Sequence, residues 1–209
     1  MATLFVTQDK GGAGRPTNMT VVPPTQLVPP KTLKAISADG LDGLVLADML
    51  SAIAMHDRAA ARFARSAAKQ TDTPELRKIH EKLAQLHTDR VDALESLLTK
   101  LKLPRLYASP ASRVAGYLAE SLTRAPLLAG SIEAEALELT LLDVAFTLAE
   151  RSLADTRALA AVADKAKGSN TAAALAKTVK SMTSGVQLLE KVREARTKCL
   201  VNVVTLKGP

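Results

Sequence analysis

The chain has 209 residues, 47% of them hydrophobic but only 2% aromatic, and a formal net charge of +7. An apolar fraction built from Leu, Ala and Val suits aliphatic stripes on helices, which argues against an all-β sandwich, and its size excludes global disorder. No uninterrupted run of about 18 apolar residues is present to span a bilayer, and a single cysteine, Cys199, excludes an intramolecular disulfide and a multi-cysteine zinc site.

Residues 1–40 hold five of the ten prolines (Pro16, Pro23, Pro24, Pro29 and Pro30) beside Gly11, Gly12 and Gly14. Each proline removes a donor and fixes φ, so this stretch reads as an extended arm. Its apolar pieces, Leu4-Phe5-Val6 and Val21-Val22, suit short strands or a path along a helical body. The opening residues lack a charged leader followed by an apolar stretch, so the expected compartment is the cytoplasm.

From Leu41 the period changes. Leu41, Val45, Met49, Ile53, His56, Ala60 and Phe63 recur every three or four residues, predicting a helix to about Lys69 that starts near Asp39-Gly40. Thr73 then suits a cap, with Pro74 in the first position of a second helix. The buried stripe of that helix is Leu76, Ile79, Leu83, Leu86, Arg90, Leu94, Leu97 and Leu101, and Pro104 ends it. Ser109-Pro110 opens a shorter helix to about Arg124, which Pro126 breaks.

A third long helix carries Ile132, Leu139, Leu142, Phe146, Ala149, Leu153 and Leu159 and stops near Gly168. Asn170 suits the cap of a fourth, striped by Leu175, Val179, Met182, Val186, Leu189 and Val192. Gly185 inside it costs about 1 kcal/mol relative to Ala, which points to close approach by a neighbouring helix or to nothing special. The β-branched tail, residues 200–209, reads as strand. The predicted domains are thus an arm over 1–40, a helical body over 41–199 and the tail.

Charge is uneven: residues 164–209 hold nine Lys and Arg against three acids, so the C-terminal helix is the basic surface. It suits nucleic acid or an anionic surface, or a solvated face. The run Lys10-Gly11-Gly12-Ala13-Gly14-Arg15-Pro16-Thr17 resembles the phosphate loop of deviant Walker ATPases, but Arg15-Pro16 stands where the Lys-Thr that reaches phosphate and magnesium belongs. Cys199 has no activator nearby in sequence and reads as a buried thiol. No catalytic arrangement stands out.

The helix pair from Leu46 to Leu98 (LADMLSAIAMHDRAAARFARSAAKQTDTPELRKIHEKLAQLHTDRVDALESLL) resembles the first hairpin of ferritin-like proteins. The segments IEAEALELTLLDVAFTLAERSL and LAKTVKSMTSGVQLLEKV resemble the second, for a coverage of residues 41–196. The resemblance implies an antiparallel four-helix bundle, in which the first and third helices each offer a Glu and the second and fourth each offer Glu-x-x-His to two metals. It places the helix-one ligand at His56 or Asp57 and the helix-two pair at His87 and Arg90. Arg90 offers only donors and cannot ligate a metal, and the helix-four stretch from Met182 to Val186 holds neither Glu nor His.

The expectation is therefore a ferritin-like fold that has lost most of its di-metal ligands. Arg90 is expected to pair with Asp143 or Asp48 inside it, because a guanidinium buried alone is very costly. The favoured function is a non-catalytic structural or scaffolding protein without a cofactor. It would self-associate as a homo-oligomer through Leu4, Phe5, Val6, Val203, Val204 and Leu206 by strand addition. The alternative is an atypical iron or manganese site at His56, Asp57 and His87, for storage or oxidation. A third reading is a basic accessory protein that binds DNA as some mini-ferritins do.

Overall fold

The computed structural model describes residues 4–7, 19–22, 28–103, 109–128 and 133–205. Strands β1 (Leu4–Thr7) and β2 (Met19–Val22) pair antiparallel, Leu4 opposite Val22 and Thr7 opposite Met19, so the two apolar pieces of the arm find each other. The extended arm does not reach residue 40, because Pro30–Ala38 forms helix α1. Pro30 holds the first helical position, where a missing N–H costs nothing, and no proline follows it before Ala38. Val28 and Ile36 are buried in the core.

Every further described element is helical, and the fold is all-α around that one ribbon. Helix α2 (Gly43–Gln70) starts at Asp42, whose carboxylate accepts from the Leu44 and Val45 amides at 2.9 and 3.1 Å. Helix α3 (Pro74–Lys100) returns antiparallel to it, Arg58 meeting Glu95 and Arg65 meeting Thr88. Helix α4 (Pro110–Leu128) then runs back beside α2, with Ala111 near Asp48 and Glu120 on Arg62. Pro126 lies inside α4 instead of breaking it. So close to the helix end, a proline removes one ladder bond without stopping the last residues.

Helix α5 (Ala134–Lys165) lies parallel to α3, Glu138 beside Thr73 and Ser152 beside Arg90. The predicted fourth helix is two: α6 (Ser169–Met182) and α7 (Val186–Val204), joined by a 3₁₀ turn over Thr183–Gly185. Gly168, not Asn170, precedes the first residue of α6. A Cβ on Gly185 would sit 2.5 Å from Cδ2 of Leu86, so this glycine marks a close approach of α3.

The tail is not a strand: α7 stays helical to Val204, and Leu206 lies outside the described residues. No proline or glycine interrupts residues 186–205. Extending a formed helix gains one hydrogen bond per residue, against a few tenths of a kcal/mol for each Val.

Two apolar clusters fill the interior. One gathers Leu50, Ile53, Leu94, Leu98, Leu159 and Leu175, and the other Phe63, Leu83, Leu141, Leu148, Leu189 and Val192. In each of α2, α3 and α5, and across the α6–α7 break, the chain passes from one cluster to the other through a short polar stretch. Among the described residues no helix is long and apolar enough to cross a membrane.

Candidate functional site, a buried ionic layer

The polar stretches meet. Helix α2 supplies Asp57, α3 supplies His87 and Arg90 three residues apart on one face, and α5 supplies Ser152 and Thr156 four apart on one face. All five are buried, Asp57 at 0% and Arg90 at 2% exposure. Asp57 Oδ1 accepts from His87 Nδ1 at 2.8 Å, from Ser152 Oγ at 2.7 Å and from Arg90 Nε at 3.1 Å, and its Oδ2 accepts from Arg90 Nε at 3.0 Å.

The rest of the guanidinium is also satisfied. Nη1 donates to Thr156 Oγ1 at 2.8 Å and to the Met182 carbonyl at 3.1 Å, and Nη2 donates to the Ser152 carbonyl at 2.8 Å. The Met182 carbonyl stands where the helical ladder breaks into the 3₁₀ turn, so Arg90 ties α2, α3, α5 and the α6–α7 break together. Burial acts to raise the Asp57 pKa. The His87 hydrogen bond, the Arg90 charge and the Ser152 hydroxyl outweigh it, and the carboxyl is held below its ordinary value.

Arg90 thus pairs with Asp57 and with neither expected partner. Asp143 sits on the outer side of α5 and pairs with Arg196 of α7, and Asp48 accepts from the Ala111 amide at 3.3 Å. Glu150 likewise takes Arg193. Helical geometry explains the difference, because residues 152 and 156 lie on the face of α5 that looks into the interior and residues 143 and 150 do not.

Of the candidate metal set, Asp57 and His87 are bonded to each other, while His56 turns away and donates from Nε2 to the Leu148 carbonyl at 2.9 Å. Burial depresses the His56 pKa, against the pull of that carbonyl. Among the described residues no group of three or more His, Cys, Asp or Glu side chains is arranged to hold a metal. A cation here would also meet the fixed charge of Arg90, and both Asp57 oxygens are already engaged. These residues do not fit a di-metal centre.

The layer leaves little room for a substrate, since the void against His87, Arg90 and Gly185 measures about 10 Å³, the scale of one water. Ser152 and Thr156 were missed by sequence reasoning. Their signal is a pair of hydroxyls four apart, in register with Leu148 and Leu159, on a face that is otherwise aliphatic from Leu141 to Ala163. Cys199 is a buried thiol, donating to the Glu135 carbonyl at 3.7 Å, with its pKa raised by burial. The glycine-rich run over residues 10–17 lies outside the described residues.

No family model, no curated protein and no solved structure matches this chain. The layer has to be read from its own chemistry.

Proposed function

We propose that this chain is a non-catalytic structural protein: a ferritin-like four-helix bundle, closed inside by an ion pair, that self-associates through surfaces near its termini. The order and direction of the helices support the bundle. Helices α2 and α3 form one antiparallel pair, α4 carries the chain back, and α5 with α6–α7 forms the second pair, which is one long crossover as in ferritin-like folds. Asp57, His87, Arg90 and the 182–185 turn hold the places that the resemblance assigns to metal ligands. In this reading a guanidinium replaces the metal charge, and the layer fixes helix register.

The observation that carries self-association is the end of α7. Its last buried residue is Cys199, yet the helix runs on through Leu200, Val201, Val203 and Val204, which are exposed by 37% to 70%. Val201 and Val204, 56% and 70% exposed on this helix end, favour a covering partner. The β1–β2 ribbon, carrying Leu4, Phe5 and Val6, adds backbone edges that pair with no further strand among the described residues. On the basic α7, Arg193 and Arg196 are engaged by Glu150, Glu190 and Asp143, which leaves less of its charge for a nucleic acid.

Light scattering tests this reading. The full chain is expected at a multiple of 22.1 kDa, and a Val201→Asp, Val204→Asp variant at fewer subunits with its helix content intact. A wild-type mass of one chain at every concentration would refute it.

A further inference from the structure

Apart from Val45 on α2 and Val186 at the start of α7, the large apolar side chains exposed among the described residues gather in two places. Val114, Tyr117 and Leu118 stand on α4, and Leu200, Val201, Val203 and Val204 at the end of α7. The α4 residues are spaced i, i+3, i+4 and form one face, opposite the buried Ser112 and Ala119. Tyr117 is 73% exposed at its centre.

Val203, alone of the four α7 residues, lines a cleft of about 920 Å³ and faces Leu76 and Ile79 of α3 and Glu138 of α5. Charge separates the two surfaces. The cleft carries Glu75, Glu135, Glu138 and Glu194 against Lys191 and Lys198, and the C-terminal end of α7 adds partial negative charge. Along one edge of the α4 face run Arg113 and Arg124, and Glu120 between them is paired with Arg62. The α7 end has no cation between Leu200 and Thr205, so a second α7 end would bring its own negative pole to an acidic cleft. Helix α4 brings arginines.

We propose that the exposed face of α4 in one copy docks into the α3–α5–α7 cleft of a second copy, an amphipathic helix in an acidic, apolar-floored groove. Within one copy α4 packs along α2, so a chain does not fill its own cleft. One contact then covers the apolar face of α4 and the Val203 wall of the cleft. Because donor and acceptor surfaces differ, the contact is heterologous, and repeats close a ring or extend a chain. This inference rests on the self-association reading and names the surfaces that carry it.

Light scattering on wild type, a Tyr117→Asp, Leu118→Asp variant and a Val203→Asp variant tests it, with circular dichroism confirming that each is folded. The wild type is expected to assemble and each variant to run as one chain. An equal mixture of the two variants is expected to double in mass and stop, because each supplies the surface the other lacks. Wild-type assembly by the α4 variant would remove this contact and leave self-association standing. A mixture of folded variants that stays at one chain would also overturn it, and a monomeric wild type would remove both readings.

Discussion

Arg90 reaches Asp57 through Nε alone, which leaves Nη1 and Nη2 to hold Thr156, the Met182 carbonyl and the Ser152 carbonyl. The carboxylate is shared among three donors and the guanidinium among three further acceptors, so neither charge has a second partner in reserve. Arg90→Met is therefore expected to cost about 3 to 5 kcal/mol, the usual penalty for leaving one half of a buried pair. Asp57→Leu should cost a similar amount. The double variant should lose clearly less than the sum, since no charge is then stranded. Urea unfolding at pH 7 measures all three, and additive losses would mean that the pair is not coupled.

Gly185 and Leu86 define a second contact that tolerates little change. A Cβ at position 185 would lie 2.5 Å from Cδ2 and 3.0 Å from Cδ1 of Leu86. The obstruction is a side-chain end, so Leu86 can turn aside, but only by disturbing packing next to Arg90. Gly185→Ala is expected to lose about 1 to 3 kcal/mol by overpacking, in spite of the better helix propensity of alanine. Adding Leu86→Ala should cost less in that background than in the wild type. Thermal melts of the four chains show whether the two sites couple.

The boundaries of α2 and α3 and the apolar stripe of α3 were legible because a 3.6-residue period runs through them, punctuated by Pro74 and Pro104. On α2 the expected stripe holds from Ile53 onward, but Val45 is exposed and Leu46 and Leu50 are buried in its stead. The site was legible in part. His56, Asp57, His87 and Arg90 stand out as polar groups on those stripes, but whether Asp143 reaches Arg90 depends on the rotation of α5, and its stripe through Phe146 and Leu153 points to a neighbouring face. Both residues are half-buried, whereas Leu148, Ser152 and Leu159 are buried. The tail misled for a related reason: β-branched residues signal a strand only when a partner edge is present, and here a helix already under way carried them along.

His80 gives the pH prediction. It is fully buried in α3, neither ring nitrogen has a hydrogen-bond partner among the described residues, and burial lowers its pKa to about 4, against the weaker pull of Glu138 from α5. The unfolded chain takes up a proton near the ordinary value of about 6.5, before the folded chain does. Stability from this group is therefore complete above that value, falls as pH drops toward 4, and changes no further below. The slope reaches at most roughly 1.4 kcal/mol per pH unit. His56, also lowered by burial, adds to the same trend, while the depressed Asp57 contributes a further loss only in stronger acid. His80→Leu keeps the volume, removes two unsatisfied nitrogens and abolishes this share of the slope. Urea midpoints at pH 7.5, 5.5 and 4.5 should show the variant at least as stable as wild type at the highest pH and increasingly more stable toward acid. Parallel curves would mean that His80 finds a proton-accepting partner in solution.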